Sequence, residues 1–249
     1  MAGAVFELIA AASRLRDGSQ SIATRMVSEG VADLVYNPLN YAWNVHEEFI
    51  RRTGGSGAKC ILLGMNPGPH GMGQMGIPFA ATSVVRDLIG ITGISVAKPE
   101  VIHPRRPVNG LEHPKEEVSG TRLWGMLEHR YGSIDKISKE IYVVNHCPLM
   151  ILNGDRGTNV TPNNISGKSV EELMDICDQH LREVVDALDA TKVVGIGKYA
   201  ENRAISALCG LGVSVETCWH PSPASPLANR NDGADWRANV RKILLAETS

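Results

Sequence analysis

The chain has 249 residues and a mass of 26.9 kDa, enough to bury a full core in one domain. With 43% hydrophobic and 21% charged residues its composition is globular, which excludes a disordered chain. A net charge of −2 and a pI near 6.4 exclude a globally basic nucleic-acid binder, so any contact with a polyanion must be local.

The apolar N-terminal stretch "MAGAVFELIAAASRLRDG" is interrupted by Glu7 and has no basic residues before it, which favours an amphipathic helix over about 4–15 and not a signal peptide. Nothing along the chain approaches the ~20 apolar residues of a membrane span. A second helix is expected over 41–52, so that residues 1–55 form a helical N-terminal segment closed by "GGSG" at 54–57.

The first strand is "CILLGM" (60–65), and it runs into the loop "NPGPHGMGQMGIPFA". Helices follow near 83–90 and 121–131, and between them "HPRRPVNG" sets Arg105 and Arg106 among prolines. The second strand, "IYVVNHC" (141–147), leads to "NGDRGTNVTPNNISG" (153–167), which reads as one long polar loop.

In "SVEELMDICDQHLREVVDAL", Ser169 stands three residues before Glu172, a capping-box spacing. Val170, Leu173, Ile176, Leu181, Val184 and Leu188 then line one helical face. The strand "KVVGIG" (192–197), a helix over 199–209 closed by Gly210, the strand "VSVETCW" (213–219) and a helix over 235–246 complete the chain.

Strands alternating with helices predict a parallel sheet covered on both faces. No domain linker interrupts the pattern, so residues 1–249 form one α/β domain. In such a sheet, ligands bind outside the carboxyl ends of the strands. Asn66 follows the first run, Asn145 lies near the end of the second, Gly195 and Gly197 close the third, and His220 follows the fourth. Taken alone, Asn-Pro-Gly is a turn signal and His220 a loop histidine; their convergence on one rim makes them site candidates.

The five scattered cysteines form no C-x-x-C, and none of the eight histidines pairs with another at i+2 or i+4, so neither a disulfide framework nor a metal site is expected. "GIGKYA" matches a dinucleotide fingerprint, but it sits on the third strand with about 50 residues left, and Glu216 falls inside the next strand. "PNNISGKS" has Pro162 at the first glycine of a phosphate loop and no preceding strand. No cofactor is therefore expected, although an oxidoreductase built on "GIGKYA" stays open as an alternative.

The stretches "GMNPGPHGMGQMGIPFA", "EVSGTRLWG", "NHCPL", "VVGIGKYAENRA" and "HPSPASPLAN" resemble the single-strand selective monofunctional uracil-DNA glycosylases, from about residue 36 to the C-terminal helix. The resemblance implies one three-layer α/β/α domain around a four-stranded parallel sheet. It also implies hydrolysis of uracil and 5-hydroxymethyluracil, with xanthine a further candidate, from single-stranded and duplex DNA without lyase activity.

By this resemblance Asn66 positions the attacking water and His220 contacts uracil O2. Phe79 stacks on the flipped base, Asn145 reads its edge, and Met65 and Gly68 shape the site near C5. DNA contacts are expected from Arg105, Arg106, Ser119, Gly120, Lys198, Ser222, Pro223, Ala224 and Ser225, with Lys115 and Arg122 nearby. A fold of this kind that had lost its chemistry would be a single-stranded DNA binding module.

Two residues depart from the family pattern. His70 stands where a phenylalanine is usual, and Ala224 where an arginine follows "HPSP". A monomer working in the bacterial cytoplasm at the nucleoid is expected, or in the nucleus of a eukaryotic source.

Overall fold

A computed structural model of the chain describes residues 2–245. The elements follow in chain order as helix α1 (Ala2–Ser28), strand β1 (Leu34–Tyr36), α2 (Trp43–Thr53), β2 (Cys60–Gly64), α3 (Val118–Tyr131) and α4 (Ile134–Glu140). Then come β3 (Ile141–Asn145), β4 (Met150–Asn153), β5 (Thr158–Val160), α5 (Lys168–Leu188), β6 (Lys192–Ile196), α6 (Lys198–Ala207), β7 (Ser214–Cys218) and α7 (Ala234–Leu245).

The four apolar runs form one parallel sheet in the order β3-β2-β6-β7. Because side chains alternate across a strand, Ile61 and Leu63 face one layer while Leu62 faces the other. The first layer joins α1, α5 and α6 through Leu8, Leu181, Val185 and Ala204; the second joins α3, α4 and α7 through Leu123, Trp124, Ile137 and Val240. This is the three-layer α/β/α arrangement expected.

The structure corrects several sequence-based expectations. Helix α1 continues to Ser28, well beyond residue 15, although Gly18, Ser19, Ser21 and Thr24 are poor helix formers. Ile22, Ala23 and Met26 are buried against Leu173 and Cys177 of α5, and tertiary packing of that face overrides local propensity. Gly18 lets the two helices approach, since a Cβ there would lie 3.3 Å from Ile176.

The capping box is absent. Helix α5 starts at Lys168 with Gly167 as its cap, so Ser169 falls inside the first turn and its hydroxyl is buried without a partner, while Glu172 pairs with Arg25. The segment over 83–90 holds a single π turn (Val84–Leu88), and α3 begins three residues earlier than expected.

A second sheet, β1-β4-β5, is antiparallel and includes part of the segment read as one long polar loop. It pairs Val35 with Ile151 and Leu152 with Asn159.

Both nucleotide-motif lookalikes have structural explanations. Gly195 is small because the backbone of α6 crosses it, and a Cβ there would lie 2.3 Å from the Glu201 nitrogen. Residues 162–164 form a 3-10 turn, not a phosphate loop.

Candidate active site

The parallel register aligns the strand ends that carry chemistry. Gly64 pairs with Asn145, Leu63 with Gly195, and Ile196 with Cys218. Met65 and Asn66 continue from β2, and His220 follows β7 by two residues, so all converge on one rim. There a cavity of about 280 Å³ is lined by Met65, Asn66, Gly68, Phe79, Asn145 and His220, together with Met72, Glu117, Ser119, Asn159, Thr161 and Ser222.

Gly64 is small for a local reason. A Cβ on it would lie 2.1 Å from Asn145 Oδ1 and 2.5 Å from Phe79 Cε2, so the glycine lets both residues sit against the strand. Gly120 does the same on the other side, where a Cβ would lie 2.2 Å from the Phe79 carbonyl oxygen.

Phe79 occupies the left-handed region at φ 53°, in a turn with Pro78 before it and a hydrogen bond from Ala80 N to Ile77 O of 3.1 Å. A bulky residue there is strained by about 1–2 kcal/mol. The conformation sets its ring 6.0 Å from the His220 ring, between Gly64 and the cavity.

Protonation states follow from the hydrogen bonds. The amide N–H of Ser222 donates to His220 Nδ1 at 3.0 Å, which fixes the proton of the neutral ring on Nε2. Burial lowers the His220 pKa, so the ring is a neutral donor at neutral pH. Asn66 directs its Nδ2 toward Asn159 Oδ1 at 3.5 Å, and Asn159 in turn donates to Pro67 O at 2.9 Å. That commits the Asn66 nitrogen and leaves its oxygen to accept a hydrogen bond.

Asn145 is buried and donates to Met72 Sδ at 3.2 Å. The next residue anchors it from below. His146 Nε2 donates to Asp178 Oδ1 at 2.8 Å, Arg203 pairs with the same carboxylate, and the Tyr199 hydroxyl donates to His146 Nδ1 at 3.0 Å. Burial raises the Asp178 pKa, yet the bonds from His146 and Arg203 outweigh it and the net shift is downward.

Glu117, Asn159 and Thr161 were not singled out in the sequence. Glu117 caps α3 by accepting from Ser119 N at 3.3 Å, and burial raises its pKa. A polar residue in "EVSG" or in a polar loop carries no signal of its own; only the second sheet brings Asn159 to the cavity.

Of the expected DNA contacts, Ser119 and Ser222 line the cavity while Gly120 is buried beneath Phe79. Ser222, Pro223, Ala224 and Ser225 form a tight turn in which Ala224 N donates to Ser222 Oγ and Ser225 N to Ser222 O, with Asn229 donating to Pro223 O. Arg105 is exposed, Arg106 donates to Gly157 O at 2.7 Å, and Lys198 pairs with Glu201. Arg122 instead fastens this turn to α3, donating to Pro221 O and Asn229 Oδ1. His70 does not line the cavity; its ring meets that of His113 edge to edge and nearly coplanar.

The model of the uracil DNA glycosylase superfamily matches residues 52–243. The chain belongs to that superfamily. Within it, the glycosylase is 44% identical over 213 residues to the single-strand selective monofunctional uracil-DNA glycosylase of Rattus norvegicus, covering 85% of this chain and 74% of that one. It is 43% identical to the enzyme of the same description from Bos taurus, covering 85% and 76%. Its fold is similar to that of the wild-type Pedobacter heparinus SMUG2 crystal structure, with a TM-score of 0.59 at 16% identity over 84% of this chain and 85% of that one.

Proposed function

We propose that this protein is a DNA repair glycosylase that hydrolyses the N-glycosidic bond of uracil and 5-hydroxymethyluracil in single- and double-stranded DNA. It leaves an abasic site, and it has no lyase activity. The target bond is inaccessible in a stacked base, so the nucleotide is extruded or already unpaired, and Phe79 offers the face on which the base rests. The observation that carries this reading is the pairing of a neutral N–H donor, His220, with an acceptor amide, Asn66, in the lining of one cavity.

Cleavage leaves an anionic base and a cationic sugar, so charge stabilisation counts for more than nucleophile strength. Asn66 is no base; its oxygen accepts from water and holds it in line with the sugar carbon. His220 Nε2–H donates to uracil O2 as negative charge gathers there, an interaction worth about 3 kcal/mol of barrier. Asn145 donates to O4 and accepts from N3–H, the pattern of uracil and the reverse of cytosine.

A labelled uracil-containing oligonucleotide, incubated with the protein and then treated with alkali, tests the proposal. Cleavage at uracil is expected, with Asn66→Ala and His220→Ala each slowed on the order of 10²-fold or more in single turnovers. Tight binding without cleavage would replace the enzyme with a binding module.

A further inference from the structure

Beyond the cavity, the loop that carries Asn66 also carries His70, and the fold brings it to a histidine 43 residues away. His70 Nδ1 and His113 Nε2 lie 2.9 Å apart, with ring centroids 5.2 Å apart and planes at 20°. Two ring nitrogens at that distance share a hydrogen bond.

The proton positions follow from the neighbours. Asn109 Nδ2 lies 3.4 Å from His113 Nδ1, which makes that nitrogen an acceptor and places the His113 proton on Nε2. His113 therefore donates to His70 Nδ1, and His70 keeps its own proton on Nε2, the nitrogen facing away from its partner.

The loop is held in this position from behind. Gln74 donates to both Pro69 O and Pro107 O, at 2.8 and 3.0 Å, and accepts from Asn109 N; Thr82 donates to His113 O. His113 is buried, while His70 is half-exposed two residues from the cavity-lining Gly68.

Resting on the glycosylase reading above, we propose that His70, oriented by His113 and flanked by Arg106 and Lys115, forms a phosphate-binding subsite for the DNA strand at the rim of the base cavity. Its ligand is a backbone phosphodiester. The charges that act on the pair are Lys115 and Arg106 at His70, and Lys115 and Glu116 at His113, with the Glu117 side chain packed against Gly71. Burial first, then Lys115 and Arg106 at His70, and His70 and Lys115 at His113, lower both pKa values and keep the rings neutral in the free protein.

An arriving phosphate reverses that balance, and the pair takes up one proton. The proton enters at His113 Nδ1, Asn109 turns its amide oxygen toward it, and the proton between the rings passes to His70 Nδ1, which now donates to His113 Nε2 and carries the charge on the His70 ring. Positive charge is gained beside the anion without breaking the hydrogen bond between the rings.

The test measures affinity for a single-stranded oligonucleotide carrying an uncleavable 2′-fluoro-deoxyuridine, for wild type, His70→Phe and His70→Asn, at pH 8.0 and 6.0. Wild type is expected to tighten about fivefold or more on acidification, and both variants less than twofold, because neither can join the proton uptake. At pH 6.0 the slope of log affinity against log salt should fall by about 0.7 in the variants, the share of one phosphate contact on single-stranded DNA. Thermal melting identifies any variant that has not folded, and the other variant then carries the comparison. Equal pH responses in wild type and the folded variant overturn the subsite while excision of uracil by wild type upholds the glycosylase. Absence of both binding and excision in wild type overturns the two together.

Discussion

Gly64→Ala is the most demanding perturbation of the site, because it adds one methyl group and removes none of the residues assigned a role. The new Cβ would lie 2.1 Å from Asn145 Oδ1, 2.5 Å from Phe79 Cε2 and 2.9 Å from Phe79 Cζ. Ordinary contact needs about 3.4 Å or more, so each group must retreat by roughly 1 Å. Neither has an easy direction. Asn145 is buried on β3 in register with Gly64, and the Phe79 peptide is backed by Gly120. Overpacking of this kind costs about 1–3 kcal/mol of stability. Moving the base-reading amide and the stacking ring by about 1 Å should slow excision on the order of 10²-fold. Single-turnover excision from a uracil oligonucleotide, with a denaturant melt, separates the two effects. A folded variant with near-wild-type excision would refute the view that Phe79 and Asn145 work only when pressed against this strand end.

Further outcomes follow from other parts of the molecule. Asn145→Asp should admit some cytosine, read as cleavage of a cytosine-containing oligonucleotide after alkali; no gain there would count against the base-reading role. Arg203→Ala removes one partner from the nearly buried Asp178 and should lower stability by about 2–3 kcal/mol, at the modest end because His146 still donates to the carboxylate; an unchanged urea midpoint would dismiss the anchoring network. Burial lowers His46 to about 4 and His180 to about 3, against 6.5 for an exposed ring, so both are neutral in the folded protein. Unfolding exposes rings that take up protons below about pH 6.5; stability is therefore full above that pH and falls toward pH 4 and below, by roughly 2 kcal/mol per histidine at pH 5. Urea midpoints that do not move between pH 7.5 and 5 would contradict this.

The parallel sheet and its chemical rim were legible in the sequence because three of its four strands are buried on both faces and read as near-continuous apolar runs. A polar residue near the end of a run or just after it then marks the strand end, which is how Asn66, Asn145 and His220 could be assembled without coordinates. The antiparallel sheet was not legible, since its strands are three or four residues long and Thr158–Val160 lies among glycines and asparagines. With it went Asn159, whose contact with Asn66 depends on that sheet. The second half of α1 was hidden for a different reason: its residues favour a helix only when packed on α5. Glu117 and the pairing of His70 with His113 depend on folding of distant loops, to which no spacing rule applies.

The backbone at Phe79 has a practical consequence for anyone seeking a more robust version of this protein. A left-handed position after a proline is where glycine relieves torsional strain, and a library ranked by heat tolerance would sample that substitution early. Every such hit would discard the aromatic ring from the mouth of the cavity. Screens of this chain for durability and for turnover will pull against each other at residue 79, so a useful selection has to score both in the same round.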